Sequence, residues 1–104
     1  MNIEVVHMKD YGKVSAFIGF KEAYVYCGRP SVLGNPFNKW NHGTREQNIE
    51  ACSKDIKWNA ELDKFVDWVK AQDLDELKLG CYCAPKACHC DLIKNRLDSE
   101  LGEA

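Results

Sequence analysis

Four of the six cysteines lie in one short segment, together with one of the three histidines. The segment reads Gly80-Cys81-Tyr82-Cys83-Ala84-Pro85-Lys86-Ala87-Cys88-His89-Cys90-Asp91. Thiols, an imidazole and a carboxylate at this density can bind a metal ion, form a reactive nucleophile, or fill a tightly packed turn. The residue types alone leave these three interpretations open.

In the metal interpretation, Cys81, Cys83, Cys88 and His89 supply the thiolate and imidazole ligands that zinc prefers in tetrahedral sites. The spacing C-x-C followed by C-H differs from the C-x2-C pairs of common zinc sites, which weighs against this interpretation. Cys90 is in phase with the apolar side chains of the helix that follows, so we expect it to face the core.

In the catalytic interpretation, Cys88, His89 and Asp91 are the candidate catalytic residues. A thiol at the start of a helix lies in the positive field of the helix dipole, which is expected to lower the pKa of Cys88. Adjacent residues on a helix point in different directions, so Cys88 and His89 do not by themselves form a nucleophile and its base. Their partners must come from elsewhere in the chain.

A second segment, Gly28-Arg29-Pro30-Ser31-Val32-Leu33-Gly34-Asn35-Pro36-Phe37, combines backbone restriction with polar side chains. Its glycines permit unusual dihedral angles and its prolines restrict them, which favours a preformed loop. A guanidinium fork beside hydroxyl and amide groups suits a carboxylate or a phosphate. We expect a small anionic ligand, with nucleotides among the candidates, to bind to Gly28, Arg29, Pro30, Ser31 and Asn35. Neither the Walker nor the dinucleotide-binding glycine pattern is present, and a solvated turn is the simpler alternative.

The elements that must position these segments follow from hydrophobic periodicity. Apolar and β-branched runs predict strands near residues 3–8, 14–20, 24–27 and 77–83, with hairpin turns at Lys9–Gly12 and Lys21–Glu22. Thr44 and Gln47 fit a capping box and predict a helix start. The pattern indicates two helices, or one kinked near Asn59, in which one face carries Ile49, Cys52 and Ile56.

A last helix is predicted from the apolar residues Ile93, Leu97 and Leu101, which recur every four positions. The order of elements predicts an α/β fold: a small mixed sheet with about three packed helices, in one compact domain over residues 1–104. Because each motif segment follows a strand, we expect the two to converge on one site at the strand ends.

Composition limits the classes of partner. The net charge is −2, so nucleic acid is not indicated, although residues 1–45 hold six basic against three acidic side chains. No apolar run approaches the roughly 18 residues of a membrane span, and no secretory signal precedes the first strand. We therefore expect a cytoplasmic protein with no membrane partner and with all six cysteines reduced.

The sequence resembles the bacterial and bacteriophage family known as domain of unknown function 4326. The matching segments are Val25–Ser31, Leu33–Phe37, Gly43–Glu46 and Leu79–Lys86, followed by Cys88, His89 and Asp91. The resemblance implies a common site made of Gly28, Arg29, Pro30, Asn35, Cys81, Cys83, Cys88, His89 and Asp91. The family pattern has an aliphatic residue in place of Cys27 and a small one in place of Cys90, so it implies no shared function for these two thiols.

Two hypotheses about function follow. The first is a ligand-binding or enzymatic domain for an anionic small molecule, which uses the Gly-Arg-Pro loop and the Cys/His/Asp turn. The alternative is a protein-interaction module, stabilised by zinc or free of metal, such as a phage accessory factor that acts on a host protein.

Overall fold

The computed structural model describes residues 1–29, 31–36, 44–82 and 88–101. Four strands and three α-helices run along the chain in the order β1 (Asn2–His7), β2 (Ala16–Gly19), β3 (Glu22–Tyr26), α1 (Arg45–Lys54), α2 (Ile56–Ala71), β4 (Glu76–Cys81) and α3 (His89–Glu100). A short 3-10 helix, Met8–Asp10, follows β1. The prediction of a small mixed sheet with three packed helices in one compact domain is confirmed.

The strand order in the sheet is β1-β4-β3-β2. The central strand β4 pairs in parallel with both β1 and β3, while β2 pairs antiparallel with β3. The predicted hairpin turn at Lys21–Glu22 joins β2 to β3, and Lys21 has a φ of 56° there. The hairpin predicted at Lys9–Gly12 is wrong, because β1 pairs with β4 and not with β2.

The helices α1 and α2 begin where a side chain accepts a hydrogen bond from a backbone N–H group of the first turn. The predicted capping box is present: the Thr44 hydroxyl accepts from the Gln47 N–H, and the Gln47 amide oxygen accepts from the Thr44 N–H. The break between α1 and α2 lies at Asp55, whose carboxylate accepts from the Trp58 N–H, and not near Asn59. The prediction that Ile56 shares a buried face with Cys52 is wrong, since Ile56 is 87% exposed.

The three helices cover one face of the sheet and bury its odd-numbered side chains. The core there comprises Ile3, Ala23, Cys27, Leu33, Cys52, Trp58, Leu62, Val66, Val69, Leu74, Leu77, Leu79, Cys81, Cys88, Cys90, Ile93 and Leu97. Among the described residues, no helix is both long and apolar enough to cross a lipid bilayer. The hairpin of β2 leaves Phe17 and Phe20 exposed.

The other face of the sheet is closed by tyrosines. The Tyr24 ring stacks on Tyr11 with 4.9 Å between centroids, and its hydroxyl donates to the Gly12 carbonyl at 2.7 Å. Burial is the main cause that raises the pKa of Tyr24 to about 12. The ring lies across Gly80 of the neighbouring strand, where a Cβ atom would collide with it. Gly80 is therefore the position that lets an aromatic side chain cover β4.

Replacing Gly80 with alanine is expected to destabilise the fold by about 1–3 kcal/mol, because the Tyr24 ring must shift out of a closed layer. Gly19→Ala is the matched control, since a Cβ there meets only the flexible Glu22 side chain at 3.3 Å. We expect the control to change stability by no more than about 0.5 kcal/mol. Urea unfolding of both variants measures this, and equal effects would contradict the assigned role of Tyr24.

Candidate functional site

Both motif segments leave the sheet at the same edge. The strands β3 and β4 are parallel neighbours, so their carboxyl ends lie side by side. The Cys27 N–H donates to the Gly80 carbonyl at 2.8 Å and extends this pairing one step beyond β3. The Gly-Arg-Pro loop begins at the next residue, and the cysteine-rich turn begins where β4 ends at Cys81.

A buried hydrogen bond joins the two segments. His89, the first residue of α3, places Nε2 2.6 Å from the Cys27 carbonyl oxygen. A carbonyl oxygen can only accept, so Nε2 carries a proton and Nδ1 holds the lone pair when the ring is neutral. Burial lowers the pKa of His89 and favours that neutral ring. The structure thus links His89 of the cysteine-rich segment to Cys27, the residue just before the Gly-Arg-Pro loop.

Trp58 of α2 contacts both the Gly-Arg-Pro loop and His89. Its indole Nε1 donates to the Leu33 carbonyl at 2.9 Å, and its ring meets the His89 ring edge-on at 6.5 Å between centroids. No local signal could reveal the hydrogen bond, because donor and acceptor are 25 positions apart.

Arg29 is exposed, and its orientation is set by the backbone of its own loop. Its Nε donates to the Asn35 carbonyl at 2.8 Å. The Asn35 side chain is buried and donates to the Asn48 carbonyl of α1 at 3.2 Å. The Asn35 amide, which was expected to bind a ligand, therefore anchors the loop to α1.

Gly28 is required by an aromatic ring that folds back over it. A Cβ atom at Gly28 would lie 2.5 Å from the Tyr26 hydroxyl oxygen, and that hydroxyl donates to the Arg29 carbonyl at 2.6 Å. Two successive turns follow, in which Ser31 N–H donates to Gly28 and Gly34 N–H donates to Ser31. Pro30 lies outside the described residues.

Ser31 lines a separate groove. Its buried hydroxyl has no hydrogen-bond partner among the described residues. The groove has a volume of about 330 Å³ and is lined by Ser15, Val25, Tyr26, Ser31, Val32, Leu33, Glu61, Lys64 and Phe65. Neither Arg29 nor His89 lines it, so Ser31 faces a different space from these two side chains.

Three buried thiols lie close together where β4 ends and α3 begins. The sulfur atoms of Cys81, Cys88 and Cys90 lie within 4.8 Å of one another, and those of Cys81 and Cys88 are 3.2 Å apart. The five cysteines that the structure describes are all free thiols. This agrees, for those five, with the prediction of no disulfide. Cys83 lies outside the described residues.

The predicted ligand set differs from the observed cluster at two positions. Neither ring nitrogen of His89 belongs to the group of candidate ligand atoms, whereas the sulfur of Cys90 does. Cys90 is fully buried, as its helical phase predicted, but it is buried against other thiols. The helical period predicts that Cys90 is buried, but it does not show that thiols from β4 and the end of β3 are its neighbours.

The expected activation of Cys88 is reversed. Its hydrogen bond with Cys81, supported by burial, raises the pKa of Cys88 to about 12. This thiol is therefore not the thiolate that the helix dipole alone suggested. Asp91 caps the same helix start, where its carboxylate accepts from the Cys88 N–H at 3.1 Å. The observed contact of Asp91 is therefore a helix cap within its own segment.

The fold is a small mixed α/β domain in which both motif segments leave the sheet at the carboxyl ends of neighbouring parallel strands. The family described as Domain of unknown function (DUF4326) matches residues 15–99, and the chain belongs to this family. No curated protein and no solved structure matches the chain significantly.

The buried His89 should make stability depend on pH. Its folded-state pKa lies below its ordinary value of 6.5, so the unfolded chain takes up a proton that the folded chain does not. This contribution is fully present above about pH 6.5 and is lost as the pH falls toward the folded-state pKa. In urea unfolding from about pH 8 to about pH 5, we expect His89→Gln to flatten this part of the profile.

His7→Gln is the matched control for the pH profile, because His7 lies on β1 and its Nδ1 accepts only from the nearby Lys9 N–H. We expect this variant to keep the acid-side loss. Identical profiles for the wild type and His89→Gln would show that the imidazole is not held neutral by burial.

The thiol of Cys88 should react slowly. In chelator and without reductant, we expect iodoacetamide to label Cys88 no faster than Cys52, a fully buried thiol of α1 whose pKa burial also raises to about 12. Both rates should rise together when urea opens the fold. Peptide mass after timed quenching measures them, and rapid labelling of Cys88 alone would restore the activated-nucleophile interpretation.

Proposed function

We propose that this domain binds a small anionic ligand where the Gly-Arg-Pro loop meets the start of α3. The observation that carries the proposal is the hydrogen bond between His89 and the Cys27 carbonyl. It joins two polar segments at the carboxyl ends of parallel strands, which is where ligands commonly bind in α/β sheets. A phosphate-bearing molecule, such as a nucleotide, is the ligand class that the side chains favour.

Arg29 is the anion-binding residue in this proposal. Its guanidinium is exposed, and the bond from Nε to the Asn35 carbonyl restricts how it can turn. A guanidinium held in this way loses less entropy when it pairs with a phosphate or carboxylate than a freely rotating lysine does. The backbone N–H groups at the start of α3 supply a second source of positive potential at the same edge.

His89 gives the site a group that can accept a proton. The Cys27 carbonyl holds the proton on Nε2, and burial keeps the ring neutral, so Nδ1 can accept a hydrogen bond from a ligand hydroxyl. The same nitrogen is the candidate general base if the ligand is a substrate. Cys88 and Asp91 act as positioning residues in this arrangement, since they form the helix start that carries His89.

The proposal is tested by calorimetric titration with AMP and with inorganic phosphate, using adenosine as the uncharged comparison. We expect AMP and phosphate to bind and adenosine to bind far more weakly. Arg29→Gln should weaken AMP binding by about ten- to hundredfold, since charge-assisted hydrogen bonds are worth about 1.5–3 kcal/mol. Arg29→Lys should recover only part of this loss, because lysine lacks the planar fork.

Lys70→Gln is the matched control for loss of one positive charge. Lys70 lies at the end of α2, near the amino edge of the sheet, where it pairs with Glu100 at 3.0 Å. We expect this variant to bind AMP as the wild type does. Failure of both anions to bind, or an equal loss in the two variants, would refute an anion site at Arg29.

The alternative of a protein-interaction module stays a prediction. The exposed side chains of Phe17 and Phe20 on the β2 hairpin are the surface that such a module would use.

A further inference from the structure

The thiols of Cys27, Cys81, Cys88 and Cys90 form one buried group, which we call the thiol cluster. Cys27 follows β3, Cys81 ends β4, and Cys88 and Cys90 lie at the start of α3. All four side chains are at most 3% exposed. The sulfur atoms of Cys81, Cys88 and Cys90 lie within 4.8 Å of one another, and the Cys27 thiol hydrogen-bonds with that of Cys90.

Packing alone does not explain the contacts within the thiol cluster. The sulfur atoms of Cys81 and Cys88 are 3.2 Å apart, which is closer than even two carbon atoms at their optimal separation of about 3.5–4.0 Å. An S–H group is also a weak donor and acceptor, so four thiols satisfy one another poorly. Valine or alanine would fill the same space without this requirement. The composition of the thiol cluster therefore suits metal binding as well as core packing.

We propose that the thiol cluster binds one Zn²⁺ ion in tetrahedral coordination, with Cys27, Cys81, Cys88 and Cys90 as its ligands. Zinc–thiolate bonds of about 2.3 Å place neighbouring sulfur atoms about 3.8 Å apart in a tetrahedron. Three of the sulfur atoms already lie within 4.8 Å of one another. Binding requires Cys81 and Cys88 to separate by roughly 0.6 Å, which side-chain rotation can supply.

Groups already present near the thiol cluster favour the negative charge that zinc binding would create. Each thiol that binds releases its proton to solvent, so one Zn²⁺ replaces four protons and the site carries a net charge of −2. The backbone N–H of Cys90 donates to the Cys88 sulfur. The start of α3 adds its dipole in the same sense, and it favours negative charge on both Cys88 and Cys90.

This ligand set differs from the one that the motif suggests. His89 is excluded from it because Nε2 bonds to the Cys27 carbonyl, and neither ring nitrogen joins the sulfur atoms. Zinc binding would tie the ends of β3 and β4 to α3 from the helix-covered side of the sheet. The inference does not rest on the proposed anion site, whose ligand would contact Arg29 and the Nδ1 atom of His89.

The test uses the full chain, reduced and stripped of metal, and titrates it with Co²⁺ as a spectroscopic probe. We expect sulfur-to-cobalt charge-transfer bands and the visible bands of tetrahedral Co²⁺ to saturate at about one equivalent. Zn²⁺ should then displace the cobalt and bleach these bands. Zn²⁺ should also release about four protons per ion in weakly buffered solution and raise the melting temperature.

Variants identify the ligands. Cys27→Ser and Cys90→Ser should each weaken Co²⁺ binding by more than about hundredfold. Cys52→Ser, which removes a buried thiol of α1 outside the thiol cluster, should leave the cobalt spectrum and stoichiometry unchanged. His89→Gln should also keep them, whereas its loss of binding would support an imidazole ligand and overturn the four-thiol set.

The proton count protects the test against variants that fail to fold, because it is made on the wild type. Circular dichroism of each metal-free variant shows which ones can be interpreted. No cobalt spectrum from the wild type, release of fewer than about two protons per Zn²⁺, or an unchanged spectrum in folded Cys90→Ser would each overturn the proposal. Loss of AMP binding with the cobalt spectrum retained would refute only the anion site.

Discussion

A backbone carbonyl left behind at the end of a strand must find a donor if it is buried. The Cys27 carbonyl lies just past the end of β3, and the buried imidazole of His89 is its partner. Leaving this oxygen unpaired would cost about 1–3 kcal/mol, so the bond constrains where α3 can begin. The position of α3 then determines which thiols meet beneath the sheet edge and which ring nitrogen keeps its lone pair.

One helix start therefore serves two sets of groups. His89 reaches toward the Gly-Arg-Pro loop, while Cys88 and Cys90, on either side of it in sequence, reach toward the ends of β3 and β4. Successive residues on a helix point in different directions, which is why C-H-C can supply an imidazole to one region and thiols to another. The alternation that made the motif hard to interpret as a single site is what separates its two groups of side chains.

Local patterns in the sequence predicted local structure well. The capping box at Thr44 and the repeat of Ile93 and Leu97 depend only on neighbours along the chain, and both are present in the structure. Strand pairing was harder, because Ile3 pairs with Leu77 and no short-range signal specifies that partner. The hairpin predicted after β1 was wrong for this reason, since a polar break shows where a strand ends and not what it pairs with.

The chemistry of the site was predictable only in part. The parallel pairing of β3 and β4 places the starts of both motif segments at one edge, while a single site shared by the two segments stays a prediction. The pKa of Cys88 was predicted in the wrong direction, since the helix dipole is a local effect and the Cys81 thiol arrives from another strand. The thiol contacts of Cys90 were not predicted, because Cys27 and Cys81 lie on other elements of the fold.

The place of β4 in the sheet also governs how the chain can assemble during synthesis. β4 follows both β1 and β3 in the chain, yet it lies between these two strands, which do not pair with each other. A nascent chain that ends before Glu76 can form the β2–β3 hairpin and its helices, but β1 still lacks the partner strand it has in the fold. Until then the edge of β1 is open to other chains, so we expect timely synthesis of Glu76–Cys81 to limit aggregation through the first strand.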